Sequence, residues 1–276
     1  MAQAQTAGGH VQAFRSHKRT DNWWVGPLLT FLGLSAFGVY ATWAAFQGAH
    51  YFHGSYLSPF YSPVIFVEEA AAGSAPLHHA WLGSWPGWWP AFLPHSPAFF
   101  ILIFPGTFRF TCYYYRKAYY RSFPPYTPPG CAVTSLPQKD YKGESRLLLF
   151  QNLHRYALYF ALIFIVILSY DAFISFFRAG KLGVGVGSIV LSINVILLAG
   201  YTFGCHSFRH LIGGRLDCFS CNTGCGLSHK LWSKATILNQ KHMSWAWVSL
   251  FWVGFTDFYI RMVSMGVFKD FNTWAN

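Results

Sequence analysis

The sequence predicts an all-α membrane protein of five transmembrane helices, with helices two to five forming a bundle that can hold a cofactor. Three observations carry this expectation. Of 276 residues, 53% are hydrophobic and only 11% are charged, where an ordinary soluble domain has roughly 25% charged residues. Five apolar stretches are each long enough to cross a hydrocarbon core, which takes about 20 residues at 1.5 Å each. The basic residues, finally, are confined to alternate connections. Such a composition excludes a disordered chain and argues against a soluble enzyme. The six cysteines are too few and too unevenly spaced for a secreted disulfide scaffold.

Residues 1–22 form a polar tail containing His10, Arg15, His17, Lys18 and Arg19. With no apolar h-region or cleavage site in it, the first span is expected to be an uncleaved anchor. Residues 23–276 then read as one five-span domain, with spans at Val25–Phe46, Ala98–Tyr115, Leu153–Phe177, Val184–His206 and His242–Met262. An outer loop covers 48–96, and cytoplasmic loops cover 116–152 and 207–241. Most of the 20 Lys and Arg residues lie in the tail, around the connection after span two (Arg109 to Arg155) and after span four (Arg209 to Lys241). Residues 48–96 contain no Lys or Arg. The positive-inside bias therefore places the N-terminus in the cytoplasm and the C-terminus outside. The net charge of +11 is a topology signal, and without a soluble basic domain nucleic acid is no partner.

The outer loop carries Trp81, Trp85, Trp88 and Trp89, which read as an aromatic belt along the bilayer surface. His78 and His79 are expected to be solvated there. Gly183, Gly185 and Gly187 at the start of span four suit close helix packing.

The informative feature is where sulfur and imidazole groups fall. Cys112 lies near the cytoplasmic end of span two, His154 opens span three, Cys205 and His206 close span four, with His210 just beyond, and His242 opens span five. Because direction alternates, four successive helices each present a Cys or His at one depth, just inside the cytoplasmic boundary. Singly, a thiol is a small hydrophobe and a membrane histidine can bond a neighbouring helix. Jointly they point to function, since intramembrane ionisable groups are costly and facing helices of a bundle commonly build cofactor sites.

Two cofactors fit the layer. A b-type haem takes an axial histidine pair and has no use for the cysteines. A Rieske-type two-iron, two-sulfur cluster takes two thiolates on one iron and two imidazoles on the other, a stoichiometry that Cys112, Cys205, His154 and His242 supply, one per helix. His206 points about 100° away from Cys205 around a helix, and His210 is the reserve ligand. Zinc accepts the same set. A second group, Cys218, Cys221, Cys225 and His229, has the spacing of a metal site, or is simply free thiols in a Gly-rich turn. Trp23, Trp24, Tyr114, Tyr115 and Arg116 offer apolar walls and polar tips suited to a quinone, although an aromatic belt accounts for them equally. A transporter would place buried charges along a path. Asp171, Asp257 and Arg261 instead lie toward the outer ends, the last two as an i, i+4 ion pair.

The segments TDNWW at 20–24, LSPFYSP at 57–63, TCYYYRKAYYR at 111–121, QNLHRY at 151–156, CHSFRHLIGGRL at 205–216 and KHMSWAW at 241–247 resemble the membrane-anchor subunit of mycobacterial-type succinate dehydrogenase 1. The resemblance runs from about residue 18 to residue 262. It implies a respiratory complex II in which this membrane anchor holds a flavoprotein and an iron–sulfur subunit. Electrons from succinate would pass through it to a quinone by way of a membrane-embedded Rieske-type 2Fe-2S cluster; a haem b anchor is the alternative. Cys112, His154, Cys205 and His242 match the ligand positions. The paired C-x-H and C-x2-H loops of soluble Rieske domains are absent, and the Cys218–Cys225 run lies outside the family pattern.

Overall fold

The computed structural model describes residues 22, 24–90, 92–123, 147–214, 216–218 and 220–274. Trp23, most of the polar tail and most of the first cytoplasmic loop fall outside these ranges. Helix α1, Val25–Gln47, is apolar on all sides, as befits a helix facing lipid, and Leu29 and Val39 are exposed on it. It stops at Gly48, whose φ of +60° suits the left-handed cap that glycine accepts without strain. A Cβ there would also meet the His95 carbonyl at 2.8 Å.

The outer segment does more than lie on a surface. A short hairpin, β1 Phe52–His53 and β2 Tyr56–Leu57, leads into a stretch in which Phe60, Tyr61, Val64 and Val67 are buried against Ala44, Ala45, Ala98 and Val253. Tyr51 stacks on Tyr61 at 4.3 Å, and burial pushes its phenol up to about 12, so it stays neutral. The aromatic belt is thus divided. Trp81 and Trp88 remain exposed, whereas Trp85 stacks on His95 and Trp89 packs on Phe100. His78 and His79 sit in a 3-10 turn and touch each other.

Helix α2, Ala98–Thr111, is followed at once by α3, Tyr113–Ser122. The expected second span is therefore broken at Cys112, and α2, at 14 residues, measures only about 21 Å. Helix α4, Leu147–Ile174, leads through the hairpin β3 Phe177–Arg178 and β4 Lys181–Leu182 to α5, Val186–Phe203. A second break at Gly204 and Cys205 separates α5 from α6, His206–Gly213. Helix α7, Thr223–Gln240, is capped by Asn222, whose side chain accepts from the Cys225 amide at 2.8 Å. Helix α8, His242–Ser264, closes the fold. Helices α5 and α8 pack together, α4 lies between α2 and α5, and α1 contacts α3 and α8.

The protein is an all-α membrane protein. Val25–Gln47, Leu149–Ile174 and Val186–Phe203 are long and apolar enough to cross a bilayer. Helix α8 has the length, at 23 residues, but buries His242, Ser249, Thr256, Asp257 and Arg261. The glycines that open α5 serve a different contact from the helix packing expected of them. Gly187 lies under the Tyr56 ring and Gly183 against Trp274, so the outer loop and the C-terminal segment press on them.

A polar network ties the outer segment to the bundle. Asp257 and Arg261 are both fully buried and form the expected ion pair at 3.3 Å. Tyr40 and Ser58 donate to the Asp257 carboxylate at 2.6 and 2.5 Å, and Arg261 donates to the Ala49 carbonyl at 2.8 Å. Ser62 donates to Asp171. Since removing one partner of a buried pair strands the other charge, Asp257→Ala is expected to cost about 3–5 kcal/mol. Ser58→Ala removes one hydrogen bond to the carboxylate and should cost about 1.5–3 kcal/mol. Thermal melts of the purified protein check both values.

Candidate functional site

Both cysteines of the layer occupy the same local structure. Cys112 ends α2 and begins α3 with φ −63° and ψ 132°, and Cys205 precedes α6 with φ −69° and ψ 142°. Each is an N-cap residue in extended conformation whose carbonyl accepts the first helical bond, from Arg116 at 2.9 Å and Arg209 at 3.1 Å. The Cys205 sulfur additionally accepts from the Ser207 amide at 3.3 Å. Helix N-termini carry partial positive charge and free N–H groups, which favour a thiolate. Two helix breaks thus set each sulfur at the start of a short helix, with only the Cys205 sulfur taking a backbone N–H there.

The histidines come from the third turn of α4 and the first residue of α8, and they meet the sulfurs in pairs. His154 Nε2 lies 3.1 Å from Cys205 Sγ, and His242 Nε2 lies 3.8 Å from Cys112 Sγ. All four side chains are buried, none more than 6% exposed. Thr111 Oγ1 donates to the Thr107 carbonyl at 2.7 Å and sits 3.0 Å from His154 Nδ1. With its proton so engaged, Thr111 accepts from Nδ1–H, which leaves the Nε2 lone pair facing the sulfur. The His154 ring stacks on Phe108 at 4.6 Å, and the His242 ring on Tyr201 at 5.0 Å. His242 Nδ1 is buried without a hydrogen-bond partner among the described residues.

These four residues line one cavity of about 550 Å³, which Tyr114, Arg116, His206 and His210 also border. His206 and His210 are exposed. Among the described residues no three His, Cys, Asp or Glu side chains converge on a point for a single metal ion. The donors are arranged as two Cys–His pairs.

Other expected site residues divide. Cys218 and Cys221 are joined as a disulfide, Cys225 is free and half-buried, and His229 stacks on Trp232. They do not gather into one site. Tyr114 packs on His242 at 5.1 Å. The Tyr115 hydroxyl is taken up inside the bundle, donating to the Ala246 carbonyl and accepting from Arg109. Trp24 is exposed at the start of α1, away from the cavity lining, and Trp23 lies outside the described residues.

Sequence reasoning missed Arg109. It reads as one more positive-inside charge, yet its guanidinium turns into the bundle, bonding Ser249 Oγ at 3.0 Å and the Ala246 carbonyl at 3.2 Å and lying 4.7 Å over the Tyr201 ring. The available signal is its spacing, three residues before Cys112 and thus on the same helix face.

Fold and site together define a multi-pass membrane protein with buried thiols and imidazoles gathered at one end of its bundle. The chain belongs to the actinobacterial succinate dehydrogenase subunit SdhC family, whose model matches residues 25–266. It is therefore a subunit of succinate dehydrogenase. Among solved structures it is similar to a chain of the Mycobacterium smegmatis Sdh1 complex in the apo form, at 44% identity over 91% of this chain and 92% of that one, with a TM-score of 0.77. A comparison with curated proteins finds no match.

Gly200 holds the layer together from behind, because a Cβ there would meet the Trp245 ring at 2.6 Å. Gly200→Ala is expected to push α5 from α8, and with it Cys205 from His242. Overpacking of this kind costs about 1–3 kcal/mol, to be read in a thermal melt beside a Gly226→Ala control in open space.

Proposed function

We propose that this protein anchors the flavoprotein and iron–sulfur subunits of succinate dehydrogenase to the cytoplasmic membrane and carries electrons from the latter to a quinone. Succinate is oxidised in the flavoprotein. The carrier within this chain is a Rieske-type 2Fe-2S cluster held by Cys112, Cys205, His154 and His242. The observation that carries the reading is the buried meeting of two thiols and two imidazoles, one from each of four chain segments, in a single cavity.

The donor set fits such a group on its chemistry. Two ligands per iron require spread donors, not a convergent triad, and the buried donors of the cavity wall are two sulfurs and two imidazoles, with His206 and His210 exposed beside them and no carboxylate among the described lining residues. When bound, the cluster supplies one-electron exchange between the partner's clusters and a quinone. The chain's own residues do the rest. The helix breaks at Cys112 and Cys205 turn both sulfurs into the cavity, and Thr111 fixes the tautomer that presents His154 Nε2. Phe108 and Tyr201 hold the imidazole planes and keep water out. Five spans, with the N-terminus cytoplasmic and the C-terminus outside, set the layer at the face where the iron–sulfur subunit docks. A quinone headgroup would be received against Tyr114 and Arg116, which line the same cavity. Trp24, at the start of α1, would face its tail; Trp23, the other candidate, lies outside the described residues.

Haem b is disfavoured by the pairing of each histidine with a cysteine. Low-temperature EPR and optical spectra of the dithionite-reduced complex, wild-type beside His154→Ala/His242→Ala, separate the two. The expected result is a Rieske-type signal that disappears in the variant. A Soret band with no such signal would place the chain among cytochrome b anchors.

A further inference from the structure

The basic residues of the tail and of two connections leave Arg178, Lys181, Arg261 and Lys269 at the end of the bundle opposite the thiol–imidazole layer, where the charge bias disfavours them. Arg261 is accounted for by Asp257. Arg178 and Lys181 stand directly opposite each other in the β3–β4 hairpin, joined by Ala179 and Gly180 at φ +51° and +78°. Positive φ at both turn residues is the pattern of a type I′ hairpin, and an alanine adopts it only under strain. Cross-strand partners share one face with Cβ atoms about 5 Å apart, where like charges repel.

No carboxylate relieves that repulsion. The Arg178 guanidinium lies over the Tyr56 ring at 5.3 Å and the Trp274 ring at 5.0 Å, and its Nε and Nη2 are buried without a hydrogen-bond partner among the described residues. Asp270, the carboxylate bonded to that same Tyr56, is already filled. Its Oδ1 accepts from the Gly187 amide at 3.1 Å and the Tyr259 hydroxyl at 2.7 Å, and its Oδ2 from the Tyr56 hydroxyl at 2.8 Å and the Asn272 side chain at 3.3 Å. A carboxylate offers about four such positions. The Lys181 side chain is exposed, while its carbonyl accepts from the Trp274 indole at 3.0 Å. Among the described residues neither cation forms an ion pair.

Depth identifies the missing anion. The hairpin joins two membrane spans directly, with Arg178 four residues beyond Ile174 and Lys181 five before Val186. Phe173, Phe177, Leu182 and Val184 around them are exposed and apolar. Cations so placed sit at headgroup level with their apolar neighbours toward the acyl chains. The planar fork of an arginine matches a phosphate, and a lysine adds a point charge. Two adjacent cations favour a headgroup of net negative charge over a zwitterionic one, whose own ammonium they repel. We infer that Arg178 and Lys181 form a binding site for the phosphate of an acidic phospholipid, in the leaflet opposite the thiol–imidazole layer, with the lipid chains against Phe177 and Leu182. The site needs neither the cluster nor the quinone.

Native mass spectrometry of the whole succinate dehydrogenase complex, delipidated in detergent and titrated with phosphatidylglycerol or phosphatidylcholine, tests it. Wild-type is compared with Lys181→Gln and Arg178→Gln. One basic residue near a membrane surface is worth about a factor of five in affinity. Lys181→Gln should therefore raise the Kd of one bound phosphatidylglycerol about fivefold, and Arg178→Gln at least as much, with phosphatidylcholine unchanged in both. Equal phosphatidylglycerol binding by wild-type and Lys181→Gln would overturn the inference, and this exposed position keeps the test open even where Arg178→Gln fails to assemble. Equal weakening of both lipids would overturn it too, since the residues would then serve packing against any lipid. Displacement of the bound phosphatidylglycerol by an equal concentration of glycerol phosphate would make this a site for free phosphate and sink the lipid assignment.

Discussion

One end of the bundle is organised by two interruptions in helices that hydropathy alone would continue. At Cys112 and at Cys205 the backbone turns to an extended conformation for one residue and then resumes as a short helix. An uninterrupted helix would bury each sulfur against a neighbour with its lone pairs facing hydrocarbon. The break instead places each sulfur at the start of a new helix, where backbone N–H groups are free. Everything else at this end follows from that placement. The histidines of α4 and α8 find the sulfurs at 3.1 and 3.8 Å, and the aromatic rings of α2 and α5 close over the imidazoles.

The opposite end obeys another constraint. A buried Asp257–Arg261 pair must have all its hydrogen-bonding capacity met, and helices alone cannot meet it. Ser58 and the Ala49 carbonyl do so from the outer segment, with Tyr40 contributing from α1. The loop is consequently part of the core. Its serines reach buried carboxylates on α8 and α4, and its aromatic side chains fill the space between the helix ends.

How much of this was legible depends on the kind of signal. Membrane spans announce themselves by composition, and the common depth of Cys112, His154, Cys205 and His242 follows from alternating direction. The breaks are less visible. Gly204 hints at the second, but nothing near Cys112 is a helix breaker, because Thr and Tyr are tolerated in helices. Arg109 is concealed by its setting, since a positive charge near the cytoplasmic boundary already has a reason to be there. Likewise the outer loop reads as interfacial because Trp and Pro dominate it, while the residues that bury it are Ser58, Ser62, Phe60 and Tyr61, which carry no such signal. The disulfide between Cys218 and Cys221 is equally invisible to spacing, which suits a metal site as well.

Between the two polar ends lies an internal cavity of about 190 Å³, walled by side chains such as Phe37, Phe60, Phe164, Leu198 and Val253, with Arg109, Tyr201 and Thr202 as its polar lining. Its wall is largely apolar, and among the described residues no hydrogen-bonded chain crosses it from the thiol–imidazole layer to the Asp257 network.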